Sequence, residues 1–302
     1  MIDLLCLGEP MVEFVRQKDG SYLQGYGGDT SNAAIAAARQ GAKVGYLTTL
    51  GKDRFGDAMT ELWDKEGIDT SGVGRNPDAP TGIYFVDPDP EGRYFTYYRN
   101  GSAASLMVPE GLDLSAITSA KCLHVSGITL AVSESMRATA LAAMDAMRDA
   151  GQEVSLDTNL RLKLWDIDTA RDVTIAAMVS ASIAVTSMDD AEHLTGLTKA
   201  EEVAEFYRQI GPETVLVTMG ADGCLLRHNE DVTHIPPAAA NPVDSTGAGD
   251  SFAGAFLAWG LELGNPVEAA KRAAIVAAGT VSGMGAVAPI PRREDVLAVL
   301  TE

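Results

Sequence analysis

The stretch Asp244-Ser-Thr-Gly-Ala-Gly-Asp250 places an acid at each end of a glycine-rich turn and runs straight into an apolar helical segment. Gly247 and Gly249 let backbone amides approach an anion closely. A helix starting near Ala248 aims its unpaired N–H groups and its positive dipole end at the same point. A carboxylate in that position opposes anion binding. Asp250 therefore makes better chemical sense as a base that takes a proton from a hydroxyl attacking phosphorus, with the Gly247, Ala248 and Gly249 amides meeting the transferred charge. For Gly-Ala-Gly-Asp in isolation an ordinary helix start with an acid in its first turn is the simpler reading, and it is the other segments that count against it.

Four of these carry further polar groups. Gly27-Gly28 before a helix start lets a polyol hydroxyl lie against the backbone, with Asp29 and Asn32 as directed partners; a glycine turn with a helix cap explains the segment equally well. In Arg93-Tyr-Phe-Thr-Tyr-Tyr-Arg99, strand alternation puts Phe95, Tyr97 and Arg99 on one face and Tyr98 on the other. A guanidinium flanked by phenols suits a small carboxylated polyol, although an exposed edge strand carries similar residues for no such purpose. Asp157-Thr-Asn159-Leu-Arg161 follows the apolar run Val154-Ser-Leu156, so it falls at the carboxyl end of a strand, where open α/β sheets keep their ligands. A loop salt bridge is the plain alternative for Arg161. Thr218-Met-Gly220-Ala-Asp-Gly223 is a second glycine-rich turn after a strand, and an ordinary β-turn is its default reading.

The elements that must position these groups alternate. Apolar runs at Ile2 to Leu7 and Lys43 to Leu50 are followed by helical patterns at Ser31 to Gln40 and Arg54 to Glu66, which predicts βα units and a mostly parallel sheet. Thr30 or Ser31 is the expected cap of the first helix, which Gly41 ends, and Ser133 caps a long helix to Ala150. Buried strands are expected at Cys122 to Val125, Val154 to Leu156, Ile183 to Thr186 and Thr214 to Met219, with closing helices at Ala248 to Leu263 and Val267 to Ser282. Met11 to Gly25 and Thr81 to Tyr98 alternate instead and contain Lys18-Asp19-Gly20 and Pro88-Asp-Pro-Glu-Gly92, which fit hairpin turns of a small separate sheet.

With those residues in view, the chain resembles the ribokinase-like (PfkB) carbohydrate kinases. Asp244 to Asp250 looks like their C-terminal signature and Gly27 to Ala34 like their N-terminal one. Tyr97 to Ala104, Asp157 to Leu162 and Leu164-Trp165 resemble the branch that phosphorylates 2-keto-3-deoxygluconate. The resemblance implies one α/β domain over 1–302, with a discontinuous β lid from roughly 11–25 and 81–99. It implies transfer of the γ-phosphate of ATP to a primary hydroxyl, with Asp250 as base and Gly28, Asn32, Tyr84, Tyr97, Arg99, Asn159 and Arg161 on the sugar acid. Thr218, Gly220, Gly223, Gly247, Gly249 and Ala274 match positions along the nucleotide. The family's usual Asn-x-x-Glu is replaced by Ser187-Met-Asp-Asp190, so Asp190 is expected to act on Mg²⁺ through water; Asp244, with carbonyls around 282–285, is the candidate for a monovalent cation such as K⁺.

Composition narrows the classes. The 302 residues are 46% hydrophobic, enough for a large core, and carry a formal net charge of −19 with no basic cluster, which argues against nucleic acid. An anionic substrate then needs a local arginine site. Cys6, Cys122 and Cys224 lack CxxC spacing, the four histidines lack ligand spacing, and the N-terminal apolar run is too short for a signal or a membrane span. A cytoplasmic protein, paired as a homodimer through its lid strands, is the expectation. No G-x-G-x-x-G follows the first strand and no G-x-x-x-x-G-K-[ST] occurs, which disfavours a dinucleotide dehydrogenase and a P-loop NTPase. A neutral-sugar kinase of the ribokinase or fructokinase type and a non-catalytic sugar or nucleotide sensor remain alternatives.

Overall fold

Apolar strand runs fold side by side because each is buried on both faces, which leaves parallel pairing under covering helices as their stable arrangement. In the computed structural model, which describes residues 1–89 and 92–301, the strands are β1 (Leu4–Leu7), β2 (Met11–Arg16), β3 (Tyr22–Gly27), β4 (Val44–Gly51), β5 (Val73–Asn76), β6 (Ile83–Asp89), β7 (Gly92–Tyr98), β8 (Cys122–Ser126), β9 (Glu153–Asp157), β10 (Ile183–Ser187), β11 (Thr214–Thr218), β12 (Cys224–His228) and β13 (Asp231–Ile235). The main sheet runs β13-β12-β11-β10-β9-β8-β1-β4-β5. It is parallel from β5 to β11 and ends in an antiparallel β11-β12-β13 edge. One apolar cluster, with Trp63, Trp259 and the alanines of Asp29–Arg39, lies on one face. A second, rich in methionine from Glu134–Asp149, covers the other.

The alternating regions form a separate sheet in the order β3-β2-β6-β7, antiparallel except for the parallel β2-β6 pair. Gly20, at φ 85°, turns the first hairpin. The tip of the second, Pro90 and Glu91, lies outside the described residues. Two local expectations need correction. The helix Asp29–Arg39 begins two residues early, with Gly28 at its cap position. Thr30 and Ser31 are drawn into the core instead, by Tyr46 and Trp63 respectively. The strand β5 and the β12-β13 hairpin also add to the sheet predicted from the apolar runs.

Candidate active site

The carboxyl ends of β1, β9, β10 and β11 and the start of two helices meet at one edge of the main sheet. Gly254 has no room for a side chain, because a Cβ would stand 2.0 Å from the carbonyl oxygen of Ala33. The helices Ala248–Leu263 and Asp29–Arg39 therefore touch backbone to backbone, and their first turns are held together. Asn32 on one donates Nδ2 to Oδ2 of Asp250 on the other at 2.8 Å. Asn159, at a φ of 28° unusual for a non-glycine residue, donates Nδ2 to Asp29 Oδ2 at 3.0 Å and lies 3.5 Å from Asp250 Oδ1.

Charge in this pocket is predominantly negative. Burial and then the Asp29 carboxylate push Asp250 up to about 6, against the pull of Asn32 and Arg161. Burial raises Asp157 well above the carboxylate range, and Asp250, Asp190 and Asp29 push the same way. Asp190 is raised by burial, although Leu160 N–H and the Thr158 hydroxyl donate to it at 3.1 Å each. Arg161 donates to the carbonyl of its neighbour Leu160 at 2.7 Å and has no carboxylate ion pair among the described residues.

The lid's inner face closes the pocket. Tyr84, Phe95 and Tyr97 lie together there, with ring centroids 5.5 to 6.3 Å apart, while Tyr98 faces outward against Phe85. Tyr84 donates to Glu13 at 2.7 Å. Burial raises the Tyr97 phenol, while the charges of Arg99, whose guanidinium stands 5.8 Å from the centroid of that ring, and of Arg161 draw it down. Arg99 is not free, however: its Nε donates to Glu9 Oε2 at 2.7 Å, and a second nitrogen also meets that carboxylate. Glu9, whose side chain is 0% exposed, also binds the Ser102 hydroxyl. Glu9 belongs to no motif in the sequence, and its place in Gly8-Glu-Pro10 just past the carboxyl end of β1 is the one signal that marks it.

On the opposite side, Gly247 adopts φ 77° and caps Ala248–Leu263 without a side-chain donor or acceptor. Gly28 has φ 99° and touches Glu9 and Pro10. Gly249 opens onto free space, as does Gly220 at φ 57°. Thr218 ends β11, hydrogen-bonded to the Thr186 carbonyl. Gly223 has a packing reason of its own, since a Cβ would stand 2.2 Å from the Ile235 carbonyl oxygen. Ala274 sits mid-helix in Pro266–Val281 and packs partly against the main core. Asp244 braces two loops: Oδ1 accepts from Thr246 N–H and hydroxyl, Oδ2 from Gly285 N–H. Asp189 and Glu192 on the helix Met188–Thr195 are exposed.

The excess of carboxylates fits a divalent cation that takes hard oxygen donors and keeps most of its water. Asp190 and its neighbour Asp157 would be the residues to hold that water. Among the described residues no three acidic, histidine or cysteine groups form a cage for a metal, so such an ion would rest on water and on phosphate oxygens.

A parallel sheet with its carboxyl edge roofed by a second small sheet is the ribokinase-like α/β architecture. The solved aminoimidazole riboside kinase from Salmonella enterica, complexed with aminoimidazole riboside and an ATP analogue, superposes with a TM-score of 0.89 at 27% identity, over 99% of this chain and 100% of that one. A 2-dehydro-3-deoxygluconokinase of Thermoproteus tenax is 35% identical, covering 98% of this chain and 94% of its own length. A probable fructokinase of Arabidopsis thaliana is 33% identical over 84% of this chain and 81% of its own length. The profile of the pfkB family carbohydrate kinases matches residues 1–293, and the protein belongs to that family.

Proposed function

We propose that this carbohydrate kinase transfers the γ-phosphoryl group of ATP to the primary hydroxyl of a small sugar acid, with 2-keto-3-deoxygluconate (2-dehydro-3-deoxygluconate) as acceptor and its 6-phosphate as product. The feature carrying this reading is a pair of guanidiniums in an otherwise acidic site: Arg99 stands over the Tyr97 ring at 5.8 Å, and Arg161, which has no carboxylate ion pair among the described residues, acts electrostatically on both Tyr97 and Asp250. A neutral sugar has no use for two guanidiniums there, whereas a carboxylate takes a charge-assisted hydrogen bond from each. Glu9 already neutralises Arg99, so Arg161 carries most of the net charge that a sugar acid would meet.

In this reading Asp250, held by Asn32, takes the alcohol proton as the oxygen bonds to the γ-phosphorus and the bond to ADP breaks. Near pH 7 a group titrating at about 6 is mostly ionised and still basic enough to accept that proton. The amides of Gly247, Ala248 and Gly249 at the helix start receive charge on the moving phosphoryl group. Asp190 would hold Mg²⁺ through water, and the ion would supply charge to offset that of the phosphates. Thr218 and Gly220 flank the nucleotide, with Ala274 on its adenine side. Positioning does most of the remaining work.

The test is a panel of acidic and neutral sugars with Arg161→Ala. Losing a charge-assisted bond is expected to raise KM for the sugar acid about tenfold or more and to leave the KM for fructose or ribose little changed. Equal effects on both would return the assignment to a neutral-sugar kinase, the reading that the fructokinase relatives favour. For assembly, the outer lid face carries exposed Tyr22 and Tyr98 packed edge-on against Phe85, and we propose that it pairs two copies of the chain. Sedimentation should show a dimer that Tyr98→Glu converts to monomer; an unchanged dimer would place the contact elsewhere.

A further inference from the structure

We propose that Asp29 is a positioning residue of the reaction centre, a second carboxylate that acts through Asp250 to keep the base strong enough to take a proton from an alcohol. The proposal rests on the reading of Asp250 as base, and three independent features of the geometry converge on it.

The first is the bridge. One amide nitrogen, Nδ2 of Asn159, stands between Asp29 at 3.0 Å and Asp250 at 3.5 Å. Its two hydrogens can serve two acceptors, one oxygen on each acid, so the amide bridges the pair and neither acid has to donate to the other. Asn159 holds this place in the left-handed region, which costs a non-glycine residue energy and persists only where the surroundings impose it.

The second is that Asp29 is badly satisfied for a structural acid. It is only 8% exposed, and its Oδ1 is buried with no hydrogen-bond partner among the described residues. A carboxylate at a helix start ordinarily stabilises the helix by accepting its free amides. Here the helix Asp29–Arg39 has no side-chain cap, and the carboxylate turns toward Asn159 instead. Burying a partly unpartnered charge destabilises the fold, so the arrangement has no structural benefit to set against that cost.

The third is rigidity. The Gly254–Ala33 backbone contact fixes the two helices, and with them the separation of the two acids. The charged and titratable neighbours from the other elements are Asp157 at the end of β9, Asp190 on Met188–Thr195, Arg161 after β9, Tyr84 on β6, and, on the Asp29 side, Cys6 on β1 and Tyr46 on β4. Of these, Arg161 makes Asp250 a weaker base. Asp29 is the largest charge working in the other direction, and a like charge this close raises a carboxyl's proton affinity.

The experiment is the pH dependence of kcat/KM with ATP and 2-keto-3-deoxygluconate. Wild type should lose activity as pH falls through about 6. In Asp29→Asn the acid limb should move down by about one pH unit, so that at pH 5 the variant keeps a larger fraction of its own maximum than wild type does. Asp29→Glu, which retains the charge, should leave the limb near its wild-type position even if KM changes. A merely structural or substrate-contacting Asp29 would lower the plateau or raise KM without moving the limb, and that result would overturn the proposal. Calorimetric binding of ADP reports whether each variant is folded. If Asp29→Asn is not, the Asp250 carboxyl resonance in wild type and in Asp29→Ser supplies the same comparison, and an unshifted titration counts against the proposal. Full turnover in Asp250→Asn would be a separate failure, of the base assignment itself.

Discussion

Asp250→Asn keeps the size of the side chain and its bond from Asn32, and removes only the ability to hold a proton. Turnover should fall by roughly 10² to 10⁴ while sugar and nucleotide binding stay nearly intact, the pattern expected when a general base is lost. Steady-state kinetics with calorimetry of both ligands checks this, and a variant retaining most of its kcat would take Asp250 out of the mechanism. Arg99 is a poorer probe than Arg161. Its removal strands Glu9 as an unpaired buried charge, so lost affinity and lost stability would arrive together. The separations involved explain which parts of the site could be read from sequence. Asp250 announces itself within a seven-residue segment, because glycines, helix start and acid are contiguous. The Asp29–Asn159 bond joins residues 130 positions apart and the Arg99–Glu9 bond residues 90 apart, and neither member of such a pair carries a local mark of its partner.

At the scale of elements, the turn before Ala248–Leu263 has one conformation that works. Gly247 sits at φ 77°, and a Cβ there would stand 2.9 Å from the Ala286 carbonyl oxygen. Gly247→Ala should therefore lower thermal stability, with a left-handed penalty of about 1–2 kcal/mol. It should also raise the KM for ATP and depress kcat, because the same strain tilts the anion-facing amides. Gly249→Ala meets nothing within 4 Å and should leave stability nearly unchanged, so differential scanning calorimetry of the pair separates turn strain from a general intolerance of change. The strands and long helices were legible because period-2 and period-3.6 patterns are local. The helix start at Asp29 was not. Thr30 and Ser31 have the chemistry of caps, but Tyr46 and Trp63, placed by tertiary packing, claim their hydroxyls. Tertiary position also explains Glu9, which lies where the lid leaves and rejoins the main sheet: Pro10 leads into β2, Gly28 follows β3, Gly82 precedes β6 and Arg99 follows β7. The buried Glu9 carboxylate thus ties the far end of the second hairpin, through Arg99 and Ser102, to the point where the chain enters the first, while its backbone carbonyl meets Gly28.

For the molecule as a whole, a formal net charge of −19 and a pocket of buried acids make stability depend on pH in a way that tests the site without any substrate. Asp250, Asp157 and Asp190 all have folded-state pKa values above the usual carboxylate value near 4. Groups of this kind contribute stability that is fully present below about pH 4 and is lost as pH rises through the folded pKa, about 6 for Asp250. Asp53 and Glu66 behave oppositely. Their pKa values are lowered by Thr81 and Gly56 and by Arg39, so their contribution holds above pH 4 and is lost only as pH falls further. Between about pH 5 and 7.5 the pocket acids therefore favour a higher melting temperature toward the acid end, while His124, which burial holds down to about 4, works the other way as pH falls below the free histidine value near 6.5. Easing of the overall negative charge gives a rise of the same sign, so the decisive comparison is with Asp250→Asn, which keeps nearly all of that charge and loses one pocket titration. Its melting temperature should climb less between pH 7.5 and 5.5. Mg²⁺ with ATP should flatten the wild-type curve by offsetting the same charges at the alkaline end. Parallel wild-type and Asp250→Asn curves in the free protein would mean that Asp250 titrates like an exposed acid, and the electrostatic basis for its role as a base would be gone.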